Sequence, residues 1–263
     1  MKKTHVTLAD QVSEASVLLG SGAAVMNQVA MLGVGLGVAE HSTTLSRQAD
    51  RLRTTLTYVY VMVLGTDEER HAIARMVTKA HVPIRSQDRY TAFDPALQLW
   101  VAATLAQMGM KLQELMFGPL DAADAEQIYR DCWIFGTALQ VAEGDWPQTL
   151  AEFDVYWKDS LEKLRPDPAV QTYVHQLLSV RATPWLLKPA IPLQSLMARG
   201  LVPARTREVL ALSWSTRDQR LFDLFWRIFP TVYRRVPRFI RTLPARLYLR
   251  DFRRRMASGR RVI

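Results

Sequence analysis

The sequence predicts an all-α fold in one domain spanning residues 1–263, and three observations point there. Apolar residues recur at helical rather than strand spacing along most of the chain. Helix-start signals punctuate it at short intervals: Thr66 with Glu69, Asp94 with Pro95, Asp167 with Pro168, and Ser215 before Thr216. No linker rich in Gly, Pro or charge divides it in two. With 49% hydrophobic and 22% charged residues over 263 positions, one helical body can bury a large core.

Taken in order, the stretch from about Val12 to Ala39 is nearly uncharged and long enough to span a bilayer. Ser21, Asn27, Gln28 and the glycines at 20, 22, 33, 35 and 37 weaken it as a membrane helix. The expectation is a buried segment whose small residues let another helix, or a flat cofactor, come close to the backbone. A helix from about Leu45 to Leu64 stops at Gly65. Thr66 and Glu69 form a capping box opening a helix to His81, and Pro83 ends it. Asp94 and Pro95 start a long helix to Phe117, followed by Gly118-Pro119. Helices are expected from Asp121 to about Gln140, from Pro147 to Leu164, and from Asp167 to about Ser179. Pro184 to Pro203, broken by Pro189 and Pro192, should be irregular. Ser215 caps a helix to about Ile228, and two short basic helices near Tyr233 and Leu247–Met256 finish the chain.

The net charge of +9 is concentrated at one end. Residues 220–263 hold thirteen Arg, no Lys, and only Asp223 and Asp251 as acids, interleaved with Phe222, Phe225, Trp226, Phe229, Tyr233, Phe239, Tyr248 and Phe252. Docking onto the chain's own body with an arginine-rich outer face is the leading reading of such a block, ahead of a membrane surface or nucleic acid. No helix-turn-helix spacing supports nucleic acid, so none is expected as a partner. The lone Cys132 excludes an internal disulfide and a cysteine-built zinc or iron–sulfur site, and fits a reducing compartment. Asp10 and Glu14 interrupt any hydrophobic export signal. A cytoplasmic setting is expected, with peripheral contact at the inner membrane face through the arginine block.

Hydrolase, kinase and dinucleotide signatures (GxSxG, GxxxxGK[ST], GxGxxG after a strand) and HExxH do not occur. Histidine-centred redox chemistry is among the few options left. His5 sits in the terminal stretch, where an inert residue is expected; His71 and His175 fall in solvated helical settings, and His41 follows Glu40. His81 shares a face with Ile73 and Val77, so its ring should point where the apolar face points. From spacing alone, a hydrogen-bonded core histidine or one facing terminal carbonyls is favoured over a metal ligand. Arg51 and Thr55 form an i, i+4 pair on the preceding helix. A surface Arg beside a Thr bonding back to a carbonyl is the plain reading; orienting oxygen or a carbonyl beside a metal is the alternative.

Three stretches, GSGAAVMNQVAMLGVGLGVAEHS (20–42), RLRTTLTYVYVMVLGTDEERHAIARMVTKAHVPIR (51–85) and YTAFDPALQLWVAATL (90–105), resemble the bacterial family that includes latex-clearing protein and the fungal oxygenase MpaB. FGPLDAADAEQIYRDCWIFGTALQV (117–141) and LSWSTRDQRLFD (212–223) follow in the same order, and LYLRDFRRRMASGRRVI (247–263) resembles the end of an actinobacterial branch. The resemblance implies heme b in a helical, globin-like core, with iron on the helix-terminal histidine, here His81. It implies that Arg51 and Thr55 line the distal or propionate side, and it matches Glu40, in GVAEHS, to an acidic position that could serve as a base, or equally cap or neutralise a neighbouring Arg.

Departures from the family pattern are Met31-Leu32 where many relatives have His-Pro, Ala102 where many have His, and Thr54 where rubber-cleaving members have a lysine that ligates iron in one state. The lysine gate is therefore lost. The function implied is a heme-dependent oxygenase acting with dioxygen on an apolar small molecule such as an isoprenoid, a lipid or an aromatic compound. The competing expectation is a membrane-surface or ligand-binding helical protein without oxygenase activity.

Overall fold

The structure, a computed structural model, describes residues 5–41, 48–87, 89–179, 191–260 and 262. Among these, β pairing is confined to a single antiparallel bridge between Arg85 and Thr91, so the chain is all-α as its patterning predicts. The helices are α1 (Leu8–Ser13), α2 (Val17–Ala30), α3 (Leu32–His41), α4 (Gln48–Leu64), α5 (Asp67–His81), α6 (Pro95–Phe117), α7 (Ala122–Asp131), α8 (Ile134–Thr137), α9 (Leu150–Glu162), α10 (Pro168–Leu177), α11 (Ile191–Gly200), α12 (Ala204–Val209), α13 (Thr216–Tyr233), α14 (Arg238–Arg241) and α15 (Leu243–Ala257).

Local sequence chemistry sets the helix starts. The Thr66 hydroxyl accepts the Glu69 N–H at 3.3 Å while the Glu69 carboxylate accepts the Thr66 N–H at 2.9 Å. The Asp94 carboxylate accepts the N–H groups of Ala96 and Leu97, with Pro95 in the first turn where no donor is needed. Asp167 and Ser215 do the same for α10 and α13.

Helices α2 and α6 form the centre. A Cβ on Gly20 would lie 2.6 Å from Leu112 Cδ1 and 2.7 Å from Met108 Cγ, so α2 approaches α6 as closely as it does because that position is glycine. Opposite, Ala102, Ala103 and Ala106 are fully buried. Trp100 of α6 donates its indole N–H to the Asn27 carbonyl at 3.0 Å and stacks on Trp157 at 5.0 Å. Gly22 turns the other side of α2 toward Ala198 of α11.

Four expectations are corrected. The apolar run of 12–39 is not one segment: α1 ends at Ser13, and α2 and α3 meet at 106° where Met31 is extended, which carries Gly35 of α3 against Val170 of α10. Among the described residues no single helix is long and apolar enough to cross a membrane. The helix from Asp121 stops at Asp131; Trp133 turns in against Trp146, α8 ends at Thr137, and the turn after it reaches φ 58° at Gln140. Residues 184–190 lie outside the described residues, but Ile191–Gly200, expected to be irregular, is helical, because Pro192 occupies a first-turn position. Finally, α13 runs through Pro230 to Tyr233 instead of ending at Ile228.

The arginine-rich end packs onto the body. Helix α15 lies against α4 and α1 with Ala245 and Phe252 buried. The buried carboxylate of Glu14 accepts the Tyr233 hydroxyl at 2.8 Å and an Arg241 N–H at 2.7 Å. Arg253 grips Glu69 through two bonds, and Arg53 donates to the Val262 carbonyl.

Candidate functional site

His81 closes α5, whose inward face carries the fully buried Ile73 and the partly buried Val77. Its ring opens on a half-open apolar cleft of about 110 Å³, walled by α3 (Gly33, Val34, Gly37, Val38), the start of α6 (Leu97, Gln98, Val101), Leu139 and the turn from Ile84 to Ala92. That turn is closed by Ala92 N–H to the Ile84 carbonyl and Ser86 N–H to the Tyr90 carbonyl, both at 2.9 Å, which folds Tyr90 back into the wall. A Cβ on Gly37 would meet Ile84 Cγ2 at 3.3 Å and the Tyr90 ring at 3.4 Å. Helix α3 thus lies flat on the turn because it presents backbone there.

Burial, and after it the Arg51 guanidinium, pushes the His81 pKa below its ordinary value. The imidazole is therefore neutral near pH 7, and among the described residues its ring nitrogens have no hydrogen-bond partner. Arg51 is exposed at the start of α4 and has no acidic partner among the described residues. Thr55, one turn on, is half-buried; neither it nor Arg51 belongs to the cleft wall.

Glu40 is exposed at the rim, outside the wall. It accepts the Tyr90 hydroxyl at 2.5 Å and an Arg89 N–H at 2.7 Å. The Tyr90 hydrogen bond, with Arg89 assisting, holds the carboxyl below the usual carboxylate range. Burial and the Glu40 carboxylate push the Tyr90 phenol up to about 12, so the pair is carboxylate and phenol at neutral pH. Tyr90 is the wall residue that sequence reasoning missed. Its partner lies 50 positions away, and only its place in the YTAFDP stretch could have drawn notice.

The other histidines lie elsewhere. His5, expected to be inert, is tied to Asp124 at 3.0 Å. His71 and His175 are exposed, and His41 sits edge-on to Tyr90 with ring centroids 6.1 Å apart.

Among the described residues no three His, Cys, Asp or Glu side chains gather to hold a metal ion. A protein-only metal centre would lack donors here, whereas heme iron brings its own ring nitrogens and asks for a single protein ligand such as imidazole. On donor chemistry the site fits a heme. Its volume is below the roughly 300–1,000 Å³ of drug-sized pockets, so seating one requires the walls to give. A second cavity of about 330 Å³, lined by Asn27, Lys111, Trp157 and Arg207 among others, contains neither His nor Cys.

Fold and site together define an all-α protein with one neutral histidine facing an apolar cleft. Residues 11–241 match the family model of the catalytic domain of ER-bound oxygenase mpaB/B' and rubber oxygenase, and the chain belongs to this oxygenase family. Two relatives, each described as an uncharacterized protein, come from Mycobacterium bovis and Mycobacterium tuberculosis. Each is 36% identical over 255 residues, covering 94% of this chain and 100% of the relative. No solved structure matches it significantly.

Proposed function

We propose that this chain is a heme b-dependent oxygenase acting with dioxygen on an apolar small molecule. The observation that carries the reading is the neutral imidazole of His81, which faces an apolar cleft without a hydrogen-bond partner among the described residues and feels the charge of Arg51. Neutral imidazole offers a lone pair to iron without a proton having to leave. When bound, heme would supply the activation of dioxygen.

The chain's own residues do the rest. Arg51, exposed outside the cleft wall, carries a permanent charge that reaches His81 and suits a heme carboxylate or developing negative charge on oxygen. Thr55, one turn along, contributes a hydroxyl donor on the same helix. Glu40 fixes the Tyr90 phenol in the cleft wall, where it orients a polar atom of the substrate. As a carboxylate already engaged by two donors, Glu40 is weakly basic, and its role is positioning before proton transfer. The apolar walls exclude water and favour an isoprenoid, lipid or aromatic substrate.

A ligand-binding helical protein without oxygenase activity is the second reading, favoured by the small cleft volume and by Met31 and Ala102 standing where the resemblance puts histidine in many family members. The experiment is hemin titration of the purified protein, followed by oxygen uptake with isoprenoid and aromatic probes. Saturation at one heme per chain with oxygen uptake supports the oxygenase. Stoichiometric heme without uptake, or failure to bind heme, selects the second reading.

A further inference from the structure

The outer face of α13 is apolar where it has no protein to cover it. At about 100° per residue, Phe222, Trp226 and Tyr233 turn toward the body, and all three are partly or fully buried. Leu221, Leu224, Ile228 and Val232, at spacings of 3, 4 and 4, form a separate stripe on the outer side. Leu224 is 45% exposed and Ile228 52%. The exposure continues beyond α13 into Phe239, at 66%, and Ile240 of α14. Along one edge of the stripe run Arg220, Arg227 and Arg234, a heptad apart and all exposed. Among the described residues none of these three has an acidic partner, nor do Arg235, Arg246, Arg250 and Arg254. The arginines that fasten the block to the body are different ones: Arg238 on Asp10, Arg241 on Glu14 and Arg253 on Glu69.

We infer that the α13–α14 face is a docking surface for an anionic lipid bilayer, entered to headgroup depth by the aliphatic stripe with the arginines on lipid phosphates. A helix with one apolar face on the protein and a second, arginine-edged apolar face on solvent meets the requirement of an interfacial helix. Charge complementarity selects this occupant. A second copy would offer these arginines little in return, because beyond its first turn α13 carries Asp223 as its one acid. A nucleic acid would use the arginines and leave the aliphatic stripe in water. The face sits at the far end of α6 from the cleft: Phe117 touches Tyr233 of α13, whereas Leu97, Gln98 and Val101 line the His81 cleft. Lipid docking is thus independent of the oxygenase reading.

The test is co-sedimentation of the full chain with vesicles of phosphatidylcholine alone or mixed with phosphatidylglycerol, at low and high salt. Binding should require phosphatidylglycerol and weaken as salt rises. Arg227→Gln should weaken it about fivefold. Leu224→Ser with Ile228→Ser removes no charge and should weaken it about tenfold or more. All of these positions are exposed, so circular dichroism and the melting temperature should match the parent. Binding unaffected by the double Ser variant, equal binding to neutral vesicles, or no vesicle binding at all overturns the inference. So does a dimer that the double Ser variant dissociates while vesicle binding is missing. Duplex DNA binding that survives the Ser pair, without vesicle binding, also overturns it.

Discussion

Removing the Tyr233 hydroxyl should loosen the whole arginine-rich end. Tyr233 donates to the buried Glu14 carboxylate at 2.8 Å and accepts the Ser16 N–H at 3.1 Å, while Arg241 holds the other Glu14 oxygen at 2.7 Å. Burial and the Glu14 carboxylate raise the phenol to about 12, so it stays a donor throughout the physiological range. Tyr233→Phe keeps the ring against Phe117 and Phe229 but deletes one bond to a charged acceptor, about 1.5–3 kcal/mol, and strips the Ser16 N–H of its acceptor, about 0.5–1.5 kcal/mol. The expected loss is about 2–4.5 kcal/mol. Arg241→Leu leaves the carboxylate without its cation and should cost about 3–5 kcal/mol. Both changes act through Glu14, so the double variant should lose less than the sum. Urea unfolding followed by circular dichroism gives the free energies, and for a chain of this size 3 kcal/mol corresponds to a drop of about 6–12 °C in Tm. Hydrogen exchange should quicken first in α14 and α15. Single variants within about 0.5 kcal/mol of the parent would refute the anchor.

Arg51→Ala and Thr55→Ala should leave helicity and melting within about 0.5 kcal/mol of the parent while impairing oxygen uptake, because Arg51 is exposed and Thr55 half-buried; full uptake in both relegates the pair to structure. Gly37→Leu places a side chain between Ile84 and Tyr90 and should abolish heme and substrate binding while the chain stays helical; unchanged hemin affinity contradicts the cleft as the site. His81 predicts a pH dependence with a definite sign. Its folded pKa lies below the ordinary 6.5, so the unfolded chain binds more protons; stability is complete above 6.5 and falls as pH drops through the folded value. An imidazole titration midpoint by NMR at or above 6.5 would contradict this.

Much of this was legible because helix starts are local. Thr66 with Glu69, Asp94 with Pro95, Asp167 and Ser215 satisfy N–H groups within three residues, so sequence spacing contains the whole interaction. The inward bearing of His81 follows from helical periodicity for the same reason. What could not be read is set by packing between distant segments. The 106° turn at Met31 answers to Val170 and Leu97 pressing on Gly35 and Gly33, and no residue near Met31 announces it. Pro192 and Pro230 read as breakers, yet one stands in a first turn and the other lies in the final turn of a helix pinned through Tyr233 to Glu14. The Glu40–Tyr90 pair has no local signature, because its two members lie 50 positions apart.

Hemin binding by the parent and His81→Ala proteins decides whether His81 is the iron ligand of the proposed oxygenase. A Soret band should saturate at one heme per chain in the parent and be lost for the most part in His81→Ala, with circular dichroism unchanged. An identical Soret spectrum and stoichiometry in His81→Ala would contradict it.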